Sequence, residues 1–323
     1  MLNYIIRRLF FIIPMMLGIS LLTLVIMHLA PGDPASIRYG LNPEVSDTAR
    51  ARLQQIYGLD KPVLVQYFNW VKRVITLDFG RSFIDDRPVI AKISERLPAT
   101  LLLNICALFV IFTLAIPIGV TCALKQNSLY DKIMTLLVFV GYAVPGFWFA
   151  LILMVIFGFK LGWLPVSGMS PWYAQYLSPF DKCVDLARHL ILPVAATAFG
   201  GLAGLSRYAR SSMLEVIRQD YIRTAKAKGL PDKEIVWRHA FRNALLPIIT
   251  IIGFTIPGLI SGSFIMETIF AWPGMGRLTY EAIMNYDYPV VMGGAVISIF
   301  LTLLGILISD ILYVVADPRI RYK

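Results

Sequence analysis

Six stretches of this chain, residues 9–29, 99–123, 133–159, 189–209, 245–267 and 290–315, are apolar over 20 residues or more. About 20 such residues, wound as a helix, cross the roughly 30 Å of hydrocarbon in a bilayer. Because lipid offers backbone amides no hydrogen-bonding partner, each crossing must satisfy its own backbone, which a helix does within itself. The expected fold is therefore all-α, a polytopic membrane bundle with six transmembrane helices. Composition agrees, since 57% of the 323 residues are hydrophobic, only 15% are charged and the mean hydropathy is +0.68, values foreign to an ordinary soluble domain. Arg7 and Arg8 precede the first run in the manner of a signal peptide. That run is longer than a typical signal core, and Ala30 is followed by Pro31, a poor cleavage context. It reads as a retained first span.

The net charge of +10 reports topology here and not nucleic-acid binding, because loops on the cytoplasmic side of a membrane protein are enriched in Lys and Arg. An even number of spans puts both ends on one side. With the N-terminus inside, 16 basic residues fall on the cytoplasmic side; setting aside the long first loop and its ten, only four remain outside. The N- and C-termini are therefore expected to be cytoplasmic. This divides the chain into an N-terminus and first span (1–29), an extracytoplasmic amphipathic region (30–98), a five-span core (99–315) with a cytoplasmic loop over 210–244, and a cytoplasmic tail (316–323). Cys106 and Cys122 lie about 24 Å apart along one expected helix, beyond disulfide reach. His28, His189 and His239 share no ligand spacing, so no metal site is expected.

The outer region has helical grammar of its own. Ser46 can cap a helix to Tyr57 that Gly58 stops, and Val63, Tyr67, Trp70, Val71 and Val74 then share one face of a second helix. These two helices serve either as a cap over the bundle or as a platform for an outside partner. In the last span, Gly294, Ser298, Thr302, Gly305 and Ser309 recur at intervals of three or four and fall on one face. That small, mildly polar face suits close packing against another helix or the lining of a polar path. Proline recurs in or beside the spans at positions 14, 117, 145, 193, 247 and 257, tolerable where neighbours satisfy the freed backbone groups. Paired glycines at 200 and 204 and at 258 and 262 permit close helix approach.

A phosphate-cradling loop of the G-x-x-x-x-G-K-[ST] type does not occur in the sequence. Glu267 and Asp310 sit near span ends, where an interfacial role is expected over a proton or sodium relay. Outer-loop carboxylates such as Asp78, Asp85 and Asp86 show no catalytic spacing. Uphill transport by this chain would therefore draw energy from another one. A self-sufficient channel or ion-coupled carrier, and a membrane hydrolase, are the competing classes.

One polar stretch interrupts the apolar pattern: DYIRTAKAKGLPDKE, residues 220–234. Asp220 can cap a short helix through Lys228, Gly229 stops it, and Pro231 with Asp232 and Glu234 opens a second helix that runs toward the fifth span. A partner pushing the first helix would thus displace the bundle. This stretch, with RHAFRNALLP after it, resembles the coupling loop of binding-protein-dependent ABC transporter permeases of the dipeptide, oligopeptide and nickel branch. MHLAPGDP, YGLDKPVLVQY, LDFGRSF, LPVSG, ETIFAWPGMGRL, DYPVV and DPRIR extend the resemblance in order along nearly the whole chain, in the arrangement of the B-type subunit. Where the general family motif begins E-A-A, this chain has Arg223, Thr224 and Ala225; Gly229 is retained, and Leu246–Pro247 lies farther from that glycine than in the general motif.

The resemblance implies half of a translocation path in the bacterial inner membrane, completed by a second, C-type permease. It implies two cytoplasmic ATPase subunits, which bind the ATP, so that this chain needs no cofactor and catalyses no covalent change. An extracytoplasmic binding protein would deliver cargo. The coupling residues expected are Asp220, Tyr221, Arg223, Thr224, Ala225, Lys228, Gly229 and Leu230. Short peptides are the expected cargo, with nickel chelates, glutathione or another small solute as alternatives.

Overall fold

A computed structural model describes residues 2–29, 60–170, 173–245, 247, 248, 251, 255 and 258–316. The expected helix over 46–57 lies outside the described residues. Among the described residues, four helices are long and apolar enough to cross a membrane, five if one bent pair counts as a single span. They are α1 (Leu2–Leu29), α3 (Val89–Leu124), α6 (Pro179–Ile217) and α11 (Tyr288–Ala316). The bent pair is α4 (Leu129–Ala143) and α5 (Gly146–Leu153), the latter continuing as a π-helix over Met154–Lys160.

The apolar run over 133–159 is thus not one straight span, because its halves meet at 103°. Proline removes an amide donor and pushes its predecessor out of the helical region, and Val144 is extended (φ −83°, ψ 121°) before Pro145. Prolines 14, 98, 117 and 193 leave their helices continuous. Run 245–267 also differs from a single helix. Its described part has a helical turn, Gly258–Ser261, then a break at Gly262 and Ser263, then α9 (Phe264–Ile269). Gly262 has φ +66°, and a Cβ there would lie 2.6 Å from the Glu267 carboxylate. It therefore makes a turn over that side chain, and the Gly276 amide and the Thr100 methyl, 3.1 and 3.2 Å from the same position, make it a close approach to Gly276 and to α3 as well.

Glu267 is fully buried within the protein. Its carboxylate accepts from the Thr100 hydroxyl (2.9 Å) and the Arg277 amide (2.8 Å), and the Thr100 hydroxyl in turn accepts from the Met275 amide (2.7 Å). Trp272, also fully buried, donates its indole N–H to the Ala99 carbonyl at 2.9 Å. The string ETIFAWPGMGRL is thereby folded as the end of α9, a turn and the start of α10 (Met275–Met284), clamped on the first half of α3.

α2 (Val63–Ile75) forms as its periodicity predicts. Its apolar face lies on the bundle: Tyr67 is buried, shares a 2.9 Å hydrogen bond with Ser20 and donates to the Leu17 carbonyl at 2.6 Å. The same end is tied by Asp287, which is almost fully buried and accepts from the Ser82 hydroxyl and from the Phe83 amide (2.9 Å), with Lys92 Nζ 3.9 Å away. Burial pushes the Asp287 carboxyl above the ordinary carboxylate range. α1 and α11 pack antiparallel, since Tyr288 donates to the Met27 carbonyl (3.3 Å) at one end and Arg8 pairs with Asp310 (2.8 Å) at the other.

Candidate coupling site

The two longest helices, α3 with 36 residues and α6 with 39, would each measure about 54–59 Å, well beyond the hydrocarbon thickness. Their C-terminal ends lie side by side, and there the polar stretch folds. α7 (Asp220–Ala227) begins directly after α6, with Gln219 as its extended N-cap. Asp220 is the first helical residue and not the cap expected of it, where its charge still favours the N-terminus. Lys228 closes the helix and Gly229 follows at φ +75°. α8 (Asp232–Glu234) then opens after Pro231 and continues as a π-helix over Ile235–Phe241 and an α-turn over Arg242–Ala244.

α7 has two unlike faces. Ile222 and Ala225 are buried in a cluster with Val120 and Ala123 of α3, Met213 of α6, and Ile235, Ala240 and Ala244 of the following segment. Leu230 packs partly against the same cluster. Asp220, Tyr221, Arg223, Thr224, Lys226 and Lys228 are exposed. Of the residues singled out from sequence, Ala225 and Leu230 therefore face inward, Gly229 makes the turn, and the others present a polar, largely basic outer surface. The Asp220–Arg223 contact on it is long (3.4 Å) and solvated, a pair of little energetic weight.

Polar ties missed in the sequence fasten this unit. Asn243 donates to the Tyr221 hydroxyl at 2.8 Å, and Ser212 donates to the Ala244 carbonyl at 2.9 Å. Arg210 grips Asp131 with two parallel bonds, Nε to Oδ1 at 2.8 Å and Nη2 to Oδ2 at 2.9 Å, the fork geometry that makes guanidinium–carboxylate pairs strong. Asp131 also accepts from the Asn127 amide at 3.0 Å, fixing the turn between α3 and α4. No local pattern announces this pair, whose members are 79 positions apart.

The face expected in the last span is split. Gly294, Gly305 and Ser309 are buried among the chain's own helices, and Ser298 and Thr302 are half-buried.

Residues 115–322 match the family model described as binding-protein-dependent transport system inner membrane component, and residues 1–104 match that family's N-terminal model. The chain belongs to this family. This permease is 43% identical to the oligopeptide transport system permease protein AppB of Bacillus subtilis (strain 168) over 320 residues, 99% of each chain. It is 39% identical to the di/tripeptide transport system permease protein DppB of Pseudomonas aeruginosa (strain UCBPP-PA14) over the full length of both. Among solved structures, the inward-facing MetNI methionine ABC transporter superposes with a TM-score of 0.56 at 16% identity, over 71% of this permease and 97% of that chain, a likeness of fold. The permease is thus an inner-membrane component of a binding-protein-dependent import system, and its work belongs to a multi-subunit transport complex.

Proposed function

We propose that this permease is the B-type half of a short-peptide importer, crossing the membrane six times with both ends in the cytoplasm. A second, C-type permease completes the path. Two cytoplasmic ATPase subunits bind ATP and seat the exposed face of α7, with Asp220, Tyr221, Arg223, Thr224 and Lys228 as the contacting residues. An extracytoplasmic binding protein delivers cargo at the end bearing α2. The observation that carries this reading is the two-faced α7: its polar side is exposed while Ile222 and Ala225 are buried against the ends of α3 and α6. Closure of the ATPase pair moves α7, and the packed cluster hands the displacement to both long helices, since close-packed interiors transmit strain.

The antiparallel pairing of α1 with α11 supports an even span number, and the 16-to-4 bias of basic residues supports the cytoplasmic side. Peptide cargo is supported by what the relatives are named for. In α11, Ser298 and Thr302 line the path, and Gly294, Gly305 and Ser309 set the packing behind it. The test is gentle purification of the tagged permease from its membrane with mass identification of its companions. A second permease and ATP-binding subunits are expected, with a cognate binding protein that takes up di- or oligopeptides. Recovery of the permease alone, with ATP-independent transport in liposomes, would overturn the proposal.

A further inference from the structure

A groove of about 230 Å³ runs between α3, α4 and α6 beside the Asp131–Arg210 pair. Ile118, Met134, Val138 and Phe139 form its apolar walls, and Arg207 stands exposed among its lining residues. Arg210 is committed to Asp131 by two bonds, whereas no hydrogen bond or ion pair engages Arg207 among the described residues. Along α4 the lining runs from Met134 to Tyr142, 8 positions, about 12 Å of helix. The cleft therefore joins one uncommitted guanidinium, on the part of α6 that leads toward α7, to apolar walls. Of the lining residues on α4, Phe139 and Tyr142 are more than half exposed, so the groove opens on a largely apolar surface.

We infer that this groove holds an anionic phospholipid of the cytoplasmic leaflet, its phosphate on Arg207 and one acyl chain along Ile118, Met134, Val138 and Phe139. Charge complementarity selects the headgroup: a guanidinium at the membrane surface pairs with phosphate, and basic pockets between spans on the cytoplasmic side favour anionic headgroups. The apolar walls select a lipid over free phosphate, which has nothing to bury there. The inference rests on the proposed sidedness, which thiol labelling at Cys183 reports independently of lipid.

The test uses the assembled transporter, loaded in vesicles of phosphatidylglycerol and phosphatidylcholine, extracted and washed, with retained lipid counted by mass spectrometry. Wild type and Arg207→Lys should retain phosphatidylglycerol, and Arg207→Gln should retain about fivefold less, the equivalent of about 1 kcal/mol per basic residue near the surface. A photocrosslinking residue at position 138 should yield a phospholipid adduct. Equal retention by Arg207→Gln, or a protein adduct at position 138, which would mark the groove as a subunit interface, would each overturn the inference.

Discussion

At Gly229 a Cβ would meet no atom within 4 Å, yet the backbone stands at φ +75°, so substitution there carries a conformational cost without a clash. For an L-residue the left-handed region costs about 1–2 kcal/mol, least for Asn. Gly229→Val should therefore lower the correctly turned population by a factor of about 10 and depress ATP-driven uptake in proteoliposomes, while Gly229→Asn should stay near wild type. Equal uptake by the two would show that the turn is immaterial. Ala225 is constrained by volume instead, being 5% exposed within a packed cluster. Ala225→Ile should overpack it and cost about 1–3 kcal/mol, visible as a lowered melting temperature of the purified protein as well as lost uptake. Glycine and alanine in this stretch were legible as helix and stop. Which of them faces inward was not, because a single turn of helix presents every side and only its neighbours choose one.

Among the elements, α7 is where packing and partner recognition divide cleanly between faces. Arg223 and Lys228 are exposed and leave the Ile222–Ala225 cluster untouched, so the double substitution Arg223→Glu with Lys228→Glu should preserve the melting temperature. It should reduce co-purification of ATPase subunits; undiminished recovery would argue that another surface makes the contact. α2 shows the same logic at the opposite end, where period-3/4 spacing named the residues that Tyr67 now anchors to α1. By contrast, the apolar runs over 133–159 and 245–267 each announced a span and concealed a break. Pro145 was visible, but the 103° turn it produces depends on what receives α5. Gly262 and Ser263 gave no warning, since the reason for their turn is the carboxylate of Glu267 tucked beneath them.

For the whole molecule, helix direction places Cys183, four residues from the start of α6, at the end remote from α7. Cys183 is exposed, Cys122 is buried and Cys106 is intermediate. With the proposed topology, a membrane-impermeant maleimide added to spheroplasts, intact cells stripped of their outer envelope, should label the permease and Cys183→Ser should abolish the signal. Labelling that appears only after lysis would reverse the assignment of sides. The sequence by itself determined the membrane habit, the all-helical character with several apolar spans, and the polar helix–glycine–helix interruption, because hydrophobic length and capping chemistry act locally along the chain. Only the tertiary structure decided that Glu267 is interior, that Arg210 holds Asp131, that α7 turns Ile222 and Ala225 inward, and that an exposed Arg207 lines a largely apolar groove. Those outcomes depend on which distant side chains meet once the helices pack, and contact between positions 79 or 167 residues apart leaves no mark in local periodicity.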